Sequence, residues 1–435
     1  MIMKDTILTF FLSLILGTTL AHGATINVGD GESIQTAVDG SADGDEVVLT
    51  YPGQYVENVT VNGKGLTIRS LNQALTSVLG NFSVTGLTAG KEMHFQSFNF
   101  SGDLNCTGAG ILRVKDVQIG NSLIGSGLAK IVLQNVEIMN SLSATQVTDC
   151  YIRRSTITKT GNIEGNQDAN GNPTRFMFLQ STIKEKLTST TAKSWIGYSN
   201  LEESYLEGTL EVVKNVFNGQ NNGGIGIDLN GTNTEANIHN NTIHWFRKDI
   251  HGNSSYQSIG IRISGNAKAD ILNNYIGNNY DNNTNGGSEN FCGIGIFITD
   301  TARSRIFGNI FENNFVKRDV NGNAHILAPS ENVTVAYNAM ASTSYNGFEL
   351  VKGGVENHAM VNSIVAADLV DKGHPDVIHQ DKDGSRNNIG PSGGRNYLTN
   401  GTTTNGPIPI TFTADPLAVP IGGTVTIEST GATVK

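Results

Sequence analysis

The chain has 435 residues, with 29 Lys and Arg against 39 Asp and Glu, a formal net charge of −10, 51 glycines and nine prolines. An acidic chain with no basic run is a poor partner for nucleic acid, and it repels polyanionic glycans unless a local basic patch or bound cations intervene. Three cysteines, Cys106, Cys150 and Cys292, permit at most one disulfide, and a core of this size needs none, so they read as small apolar core residues.

Residues 1–23 read as a secretory signal: Lys4 in front, an apolar run from Ile7 to Leu20, then Ala21 and Gly23 at the cleavage positions. The expected product begins at Ala24 and is secreted or held at the cell surface. The run is short for a membrane span and no later segment approaches one, so no membrane insertion is expected. Residues 24–64 differ in pattern from the rest of the chain. Ser33 to Val38 suggests a short amphipathic helix, with strands at Glu46 to Thr50 and Val59 to Val61, the makings of an N-terminal cap over the open end of a stacked sheet.

From Phe95 to Val365 one pattern recurs twelve times: an apolar residue, two others, a small or turn-forming residue, one more, then an apolar residue. Phe95/Phe98/Phe100, Val114/Val117/Ile119, Leu133/Val136/Ile138 and Ile152/Ser155/Ile157 come at steps of nineteen residues. Later copies, from Phe178/Ser181/Ile183 to Met360/Ser363/Val365, are spaced unevenly, as loops on a constant frame would make them. A unit of about twenty residues is too short for a strand and a packed helix, and its Ile, Val, Thr and Asn favour strands joined by tight turns. The middle position is Asn in five consecutive copies, Asn215, Asn241, Asn274, Asn309 and Asn338. Asn suits a left-handed turn, and stacked copies would let the amides form a ladder. The expected fold is an all-β, right-handed parallel β-helix over residues 65–398, about twelve coils, in a protein that is a monomer. After residue 399 the composition turns to Thr, Pro and Gly, with alternating strands at Ile408 to Thr413 and Thr424 to Ile427. This reads as a small β appendage or a truncated immunoglobulin-like module.

Outward positions carry the candidate chemistry. In Gly224 to Leu229 the isoleucines are expected inward and Asp228 outward, with Arg262, Phe297, Leu327 and Glu349 in equivalent positions of later coils. At about 4.8 Å per coil Asp228 and Arg262 are neighbours, while Asp228 and Glu349 are roughly 19 Å apart, beyond the roughly 5 to 10 Å of a glycosidase pair. The insertion after Ile243 gathers His244, Trp245, Arg247, Lys248, Asp249, His251 and Tyr256. A lyase needs a base and positive charge, which His244, Arg247, Lys248 and His251 supply. Trp245 and Tyr256, with Asp228, Arg262 and Phe297, are candidate ligand contacts. The plain alternatives are a solvated loop and a surface ion pair. Three loops, at Asp168 and Asn170, Asp319 and Asn321, and Asp381 and Asp383, resemble the first half of a calcium loop without its distal Glu. Strong turn-forming dipeptides are the alternative.

The stretch Ser33-Ile-Gln-Thr-Ala-Val, then Gly44-Asp45, then Pro52 to Val61 resembles the N-terminal cap of the pectin-lyase-like right-handed β-helix superfamily. Asn240-Asn241-Thr-Ile and Asn273-Asn274-Tyr-Ile resemble its repeat, and Asp381 to Gly394 resembles the terminal segment of secreted bacterial β-helix proteins. The resemblance implies the fold and leaves the reaction open, since the superfamily hosts lyases, hydrolases, esterases, epimerases and adhesins. The paired Asp and Gly-His-Gly of polygalacturonases, the Asp-Phe-Ile-Phe-Gly of pectin methylesterases, the Asp-Pro-His-Asp of alginate epimerases and the Arg-x-Pro of pectate lyases are missing from the chain. The expectation is a carbohydrate-associated protein holding an extracellular polysaccharide along a lateral groove. A lyase of unfamiliar type and a non-catalytic surface or adhesion module are the alternatives.

Overall fold

The computed structural model describes residues 23–72, 75–165, 167, 171, 173–220, 223–248, 258–281, 292–316, 322–328, 332–341, 359–361, 369–381, 383–394, 408–415 and 426–432. The chain is all-β around one long parallel sheet, consistent with a parallel β-helix. The first apolar position of the sequence repeat is a single column of register partners: Phe95, Val114, Leu133, Ile152, Phe178, Ile196, Val212, Ile238, Ile271, Ile306 and Val335. The last position is another, from Phe100 to Met340. Both columns belong to one buried apolar core. No coil covers its own apolar face, so the contact between neighbouring coils supplies the core.

The register corrects the twelfth copy. Met360 pairs with Met340, the closing position of the eleventh copy, and so is not an opening position. The parallel pairing also runs back through Thr67–Ser70, Glu46–Leu49 and Thr25–Val28, which continues the sheet into the stretch before residue 65. Between the first two of these strands in the chain lies a helix, Ile34–Gly40, which buries Ile34 and Val38. Ser33 caps it by accepting from the N–H of Thr36, and the Glu57 carboxylate accepts from the N–H groups of Ile34 (2.6 Å) and Gln35 (3.1 Å), placing negative charge at the helix start.

A ladder runs through the middle position of the repeat. From Asn241 on, each Asn side chain accepts from the backbone N–H and the side-chain Nδ2 of the Asn one coil earlier: Asn215 to Asn241 (2.8 and 3.0 Å), Asn241 to Asn274 (2.9 and 3.0 Å), Asn274 to Asn309 (2.9 and 2.9 Å), Asn309 to Asn338 (2.9 and 3.0 Å). Each Nδ2 also reaches back to a carbonyl of the preceding coil, for example Asn274 to Ile238 at 2.9 Å. Earlier rungs are serines: Ser155, Ser181 and Ser199 each accept one backbone N–H from the coil before and donate to a carbonyl two residues upstream. All of these side chains are buried, so every rung is satisfied internally. The left-handed residue is not the ladder Asn, as its turn chemistry suggested, but the residue just before it: Asn240 (φ 59°), Asn273 (57°), Gly308 (67°) and Tyr337 (54°). The ladder amide points inward because its neighbour makes the turn.

Cys106 and Cys150 are free, buried members of the core. Burial pushes the Cys106 thiol up to about 12 and raises that of Cys150 further, so neither is a reactive thiolate. Near the C-terminus, Ile408–Asp415 and Thr426–Ala432 form an antiparallel hairpin. Among the described residues no helix is long and apolar enough to cross a membrane.

Candidate binding groove

Asp228 and Arg262 meet as their spacing predicts. They are register partners, and Arg262 donates from Nε to Oδ1 at 2.8 Å and from Nη2 to Oδ2 at 2.5 Å. Phe297 is the next register partner, then Leu327. This column is nevertheless not an open face, since Asp228 is only 6% exposed and Phe297 7%. Nor do all the isoleucines of Gly224–Leu229 enter the main core. Ile227 does, while Ile225 packs in a separate apolar cluster with Ile259, Ile294 and Phe297. Gly226 between them has no room for a side chain: a Cβ there would stand 2.7 Å from the carbonyl oxygen of Gly260 and 2.8 Å from the ring of Phe246.

The insertion after Ile243 is partly strand. His244 ends the strand Thr242–His244, and Arg247–Lys248 pairs with Tyr280–Asp281. The Trp245 ring lies edge-to-face with His244 at 6.1 Å, and the Arg247 guanidinium sits 3.8 Å from its centroid, so Arg247 already occupies one aromatic face. Burial pulls the His244 imidazole below its ordinary range, which keeps it neutral at neutral pH. The side chain of Lys248, and Asp249, His251, Tyr256 and Glu349, lie outside the described residues, as do Asp168, Asn170, Asp319 and Asn321.

The third proposed calcium loop is described, and its carboxylates have other partners. Asp381 is buried and accepts from the N–H groups of Asn388 (3.1 Å) and Gly394. Asp383 accepts from the N–H (2.9 Å) and hydroxyl (2.7 Å) of Ser385. Among the described residues no three His, Cys, Asp or Glu side chains stand together as a metal-binding group. Replacing Asp381 with Ala should therefore lower the thermal midpoint by several degrees, about 1 to 3 kcal/mol for orphaned amides, and EDTA should leave that difference unchanged. A difference that vanishes in EDTA would contradict this.

A long groove lies on another face. It has a volume of about 600 Å³ and crosses the strands Lys193–Gly197, Thr209–Val213, Glu235–His239, Lys268–Leu272, Arg303–Phe307 and Val333–Ala336. One column along its floor reads Trp195, Glu211, Asn237, Asp270, Arg305 and Thr334. A second, two residues upstream, reads Lys193, Thr209, Glu235, Lys268 and Arg303. Opposite charges sit on adjacent coils: Lys268 donates to Glu235 at 2.7 Å, and Arg305 holds Asp270 with Nε on Oδ1 at 2.6 Å and a second contact from Nη2. These two pairs fit the roughly 4.8 Å coil spacing, at which opposite charges attract, whereas Lys268 and Arg303 are like-charged register partners. At the other end Trp195 packs with Met177, Leu179 and Tyr151, with the Lys193 ammonium 5.7 Å from its ring.

Glu211 and His239 are both buried, and Nε2 of His239 meets Oε1 of Glu211. Nδ1 of His239 lies 2.8 Å from Oδ1 of Asn240, and Asn237 donates to the other Glu211 oxygen at 3.2 Å. Burial disfavours a charged imidazole, but the Glu211 charge and the hydrogen bonds to Glu211 and Asn240 outweigh it, so His239 holds its proton above the ordinary range. Its stabilising contribution is therefore full below the unfolded value of about 6.5 and is lost as pH rises through the folded value. His244, His374 and His379 are all pulled down by burial and contribute with the opposite sign. The difference in unfolding free energy between wild type and His239→Gln should thus shrink as pH is raised above about 6.5. A difference that grows over that range would be the contrary result.

Trp195 and Glu211 escape a reading of the sequence alone. The signal was present, because each floor residue directly precedes an opening residue of the repeat: Trp195 before Ile196, Glu211 before Val212, Asp270 before Ile271, Arg305 before Ile306. No protein-family model and no curated protein sequence matches this chain.

Proposed function

We propose that this protein is a secreted or cell-surface, right-handed β-helix of the pectin-lyase-like kind that binds an extracellular polysaccharide along the groove floored by Trp195, Glu211, Asn237, Asp270 and Arg305. The observation that carries this reading is a long groove with an aromatic residue at one end and ordered polar side chains along its length. Five intervals of about 4.8 Å make the floor column about 24 Å long, the reach of several sugar rings. Trp195, 8% exposed, presents only an edge of its ring to the groove, while Asn237 and the paired charges offer donors and acceptors to hydroxyls. Cross-coil pairing leaves little net charge on the floor, which suits a neutral or weakly charged polymer. With a carboxylated polymer calcium would serve as a bridging ion, and repeating the assay in EDTA tests that role.

The test is retention of the full chain on a panel of immobilised plant, algal and bacterial polysaccharides. Retention that is lost in Trp195→Ala supports the proposal, and no retention on any polymer at millimolar calcium overturns it.

A second reading is favoured by one arrangement, the neutral His244 beside the Trp245 and Arg247 stack. There His244 would take a proton next to a uronate carboxylate and Arg247 would steady the resulting anion, as in a lyase. Unsaturated products from uronate polymers, lost in His244→Ala, would support it, and their absence on every polymer would remove it.

A further inference from the structure

Asn240 ties the groove to a segment far along the chain. Its Nδ2 donates to the carbonyls of Pro391 (3.0 Å) and Gly393 (2.7 Å), which turns its Oδ1 toward Nδ1 of His239. An amide oxygen only accepts, so Nδ1 must carry a proton. On the other side of the ring Nε2 faces the Glu211 carboxylate of the groove floor. Against an ionised carboxylate Nε2 must donate as well, so both contacts are satisfied together only while the pair holds the extra proton. Without it the ring has one N–H for two acceptors. If that N–H stays on Glu211, a lone pair faces the Asn240 oxygen, the amide turns over, and its oxygen then opposes the two carbonyls it had clamped.

The clamped segment runs beside the groove on the row of left-handed turn residues. Asn273 donates to Oδ1 of Asn387 (2.8 Å) and the carbonyl of Asn388 (2.6 Å), and the N–H of Gly390 donates to the carbonyl of Gly308 (2.6 Å). Leu369 and Ile389 bury against Ile310 and Ala339. His374 and His379 stand 4.5 Å apart over Phe307, and His379 feels the charges of Asp270 and Arg305 in the groove. Around His239 the register neighbours are Val213 and Leu272, and Lys214 and Asn273 flank Asn240 in the turn row. Asp270, beyond Asn237, is held by Arg305, and Asp381 is held by amides of its own segment. The other titratable groups on residues 369 to 394 are Asp371, Lys372, His374, Asp376, His379, Lys382, Asp383 and Arg386.

We propose that the proton shared by Glu211 and His239 is a latch: it fixes the Asn240 amide in the orientation that clamps Pro391 and Gly393, and its loss releases residues 385–394 from the flank of the groove. That the latch governs access to a ligand rests on the proposed polysaccharide binding; the latch itself needs no ligand. Hydrogen exchange tests it in the full chain without polysaccharide, at the amides of Asn388, Ile389, Gly390 and Gly394, which donate hydrogen bonds within or from the segment. Protection corrected for intrinsic rate is expected to fall about tenfold between about pH 5 and about pH 9 as the two clamp bonds are lost. Asn240→Gly keeps the left-handed backbone, as Gly308 does in the same row, and should show low protection with no pH step. Glu211→Gln should move the step to lower pH. A flat wild-type profile, a wild-type step retained in Asn240→Gly, or a midpoint unmoved in Glu211→Gln would overturn the latch while leaving polysaccharide retention a separate question.

Discussion

Asn274→Ala should destabilise this chain by about 4 kcal/mol, the sum of several buried groups left unsatisfied at roughly 1 to 3 kcal/mol each. The side chain accepts from the backbone N–H and Nδ2 of Asn241 and donates to the carbonyls of Ile238 and Leu272 and to Oδ1 of Asn309. Alanine removes all five contacts at a site with no exposure. The N–H of Asn241 then has no acceptor, and the neighbouring amides lose the orientation that the rung imposed. Asn274→Ser should recover part of the loss, because Ser181 at the equivalent rung takes the N–H of Ser155 at 3.1 Å and donates to the carbonyl of Leu179 at 2.8 Å. Chemical denaturation followed by circular dichroism would show it; a change under about 1 kcal/mol for alanine, or serine no better than alanine, would contradict the ladder account.

Trp195→Ala should weaken polysaccharide retention by about fivefold, the effect of losing an aromatic contact at the end of the groove worth about 1 kcal/mol. The matching control is Trp245→Ala. Arg247 lies 3.8 Å from the Trp245 centroid, and that tryptophan is not part of the groove, so retention should stay within about twofold of wild type. Affinity electrophoresis on the retained polymer separates the two. Loss in Trp245→Ala with Trp195→Ala unchanged would move the binding site to the insertion after Ile243.

The inward columns were legible because burial restricts them: Val114, Leu133 and Ile152 must all be apolar to fill one core, so the spacing survives in the sequence. The Asn ladder was legible for the same reason, since a buried rung has few substitutes. Its turn was not, because the left-handed residue can be Asn240, Lys214, Tyr198 or Arg154, side chains with nothing in common. The opening position of the last copy slipped because Met360 is apolar in either frame, and only the pairing with Met340 decides. The groove was hidden for a further reason. Its partners are separated by a whole coil and its insertion, 28 residues for Glu211 and His239, 33 for Glu235 and Lys268, 35 for Asp270 and Arg305. No fixed interval connects such pairs until the register is known. Asp228 and Arg262, 34 apart, were matched because glycine-flanked isoleucines marked both strands.

The passage from serine to asparagine along the ladder has a mechanical side. A serine rung joins only two coils, because its hydroxyl donates within its own coil, as from Ser155 to the carbonyl of Arg153. An asparagine rung such as Asn274 joins three, reaching Ile238 behind and Asn309 ahead. Under tension the serine stretch would peel one coil at a time, whereas the asparagine stretch would resist and then part as a block. The five rungs from Asn215 to Asn338 thus tie their strands into a stiff beam on which the outward side chains keep their spacing.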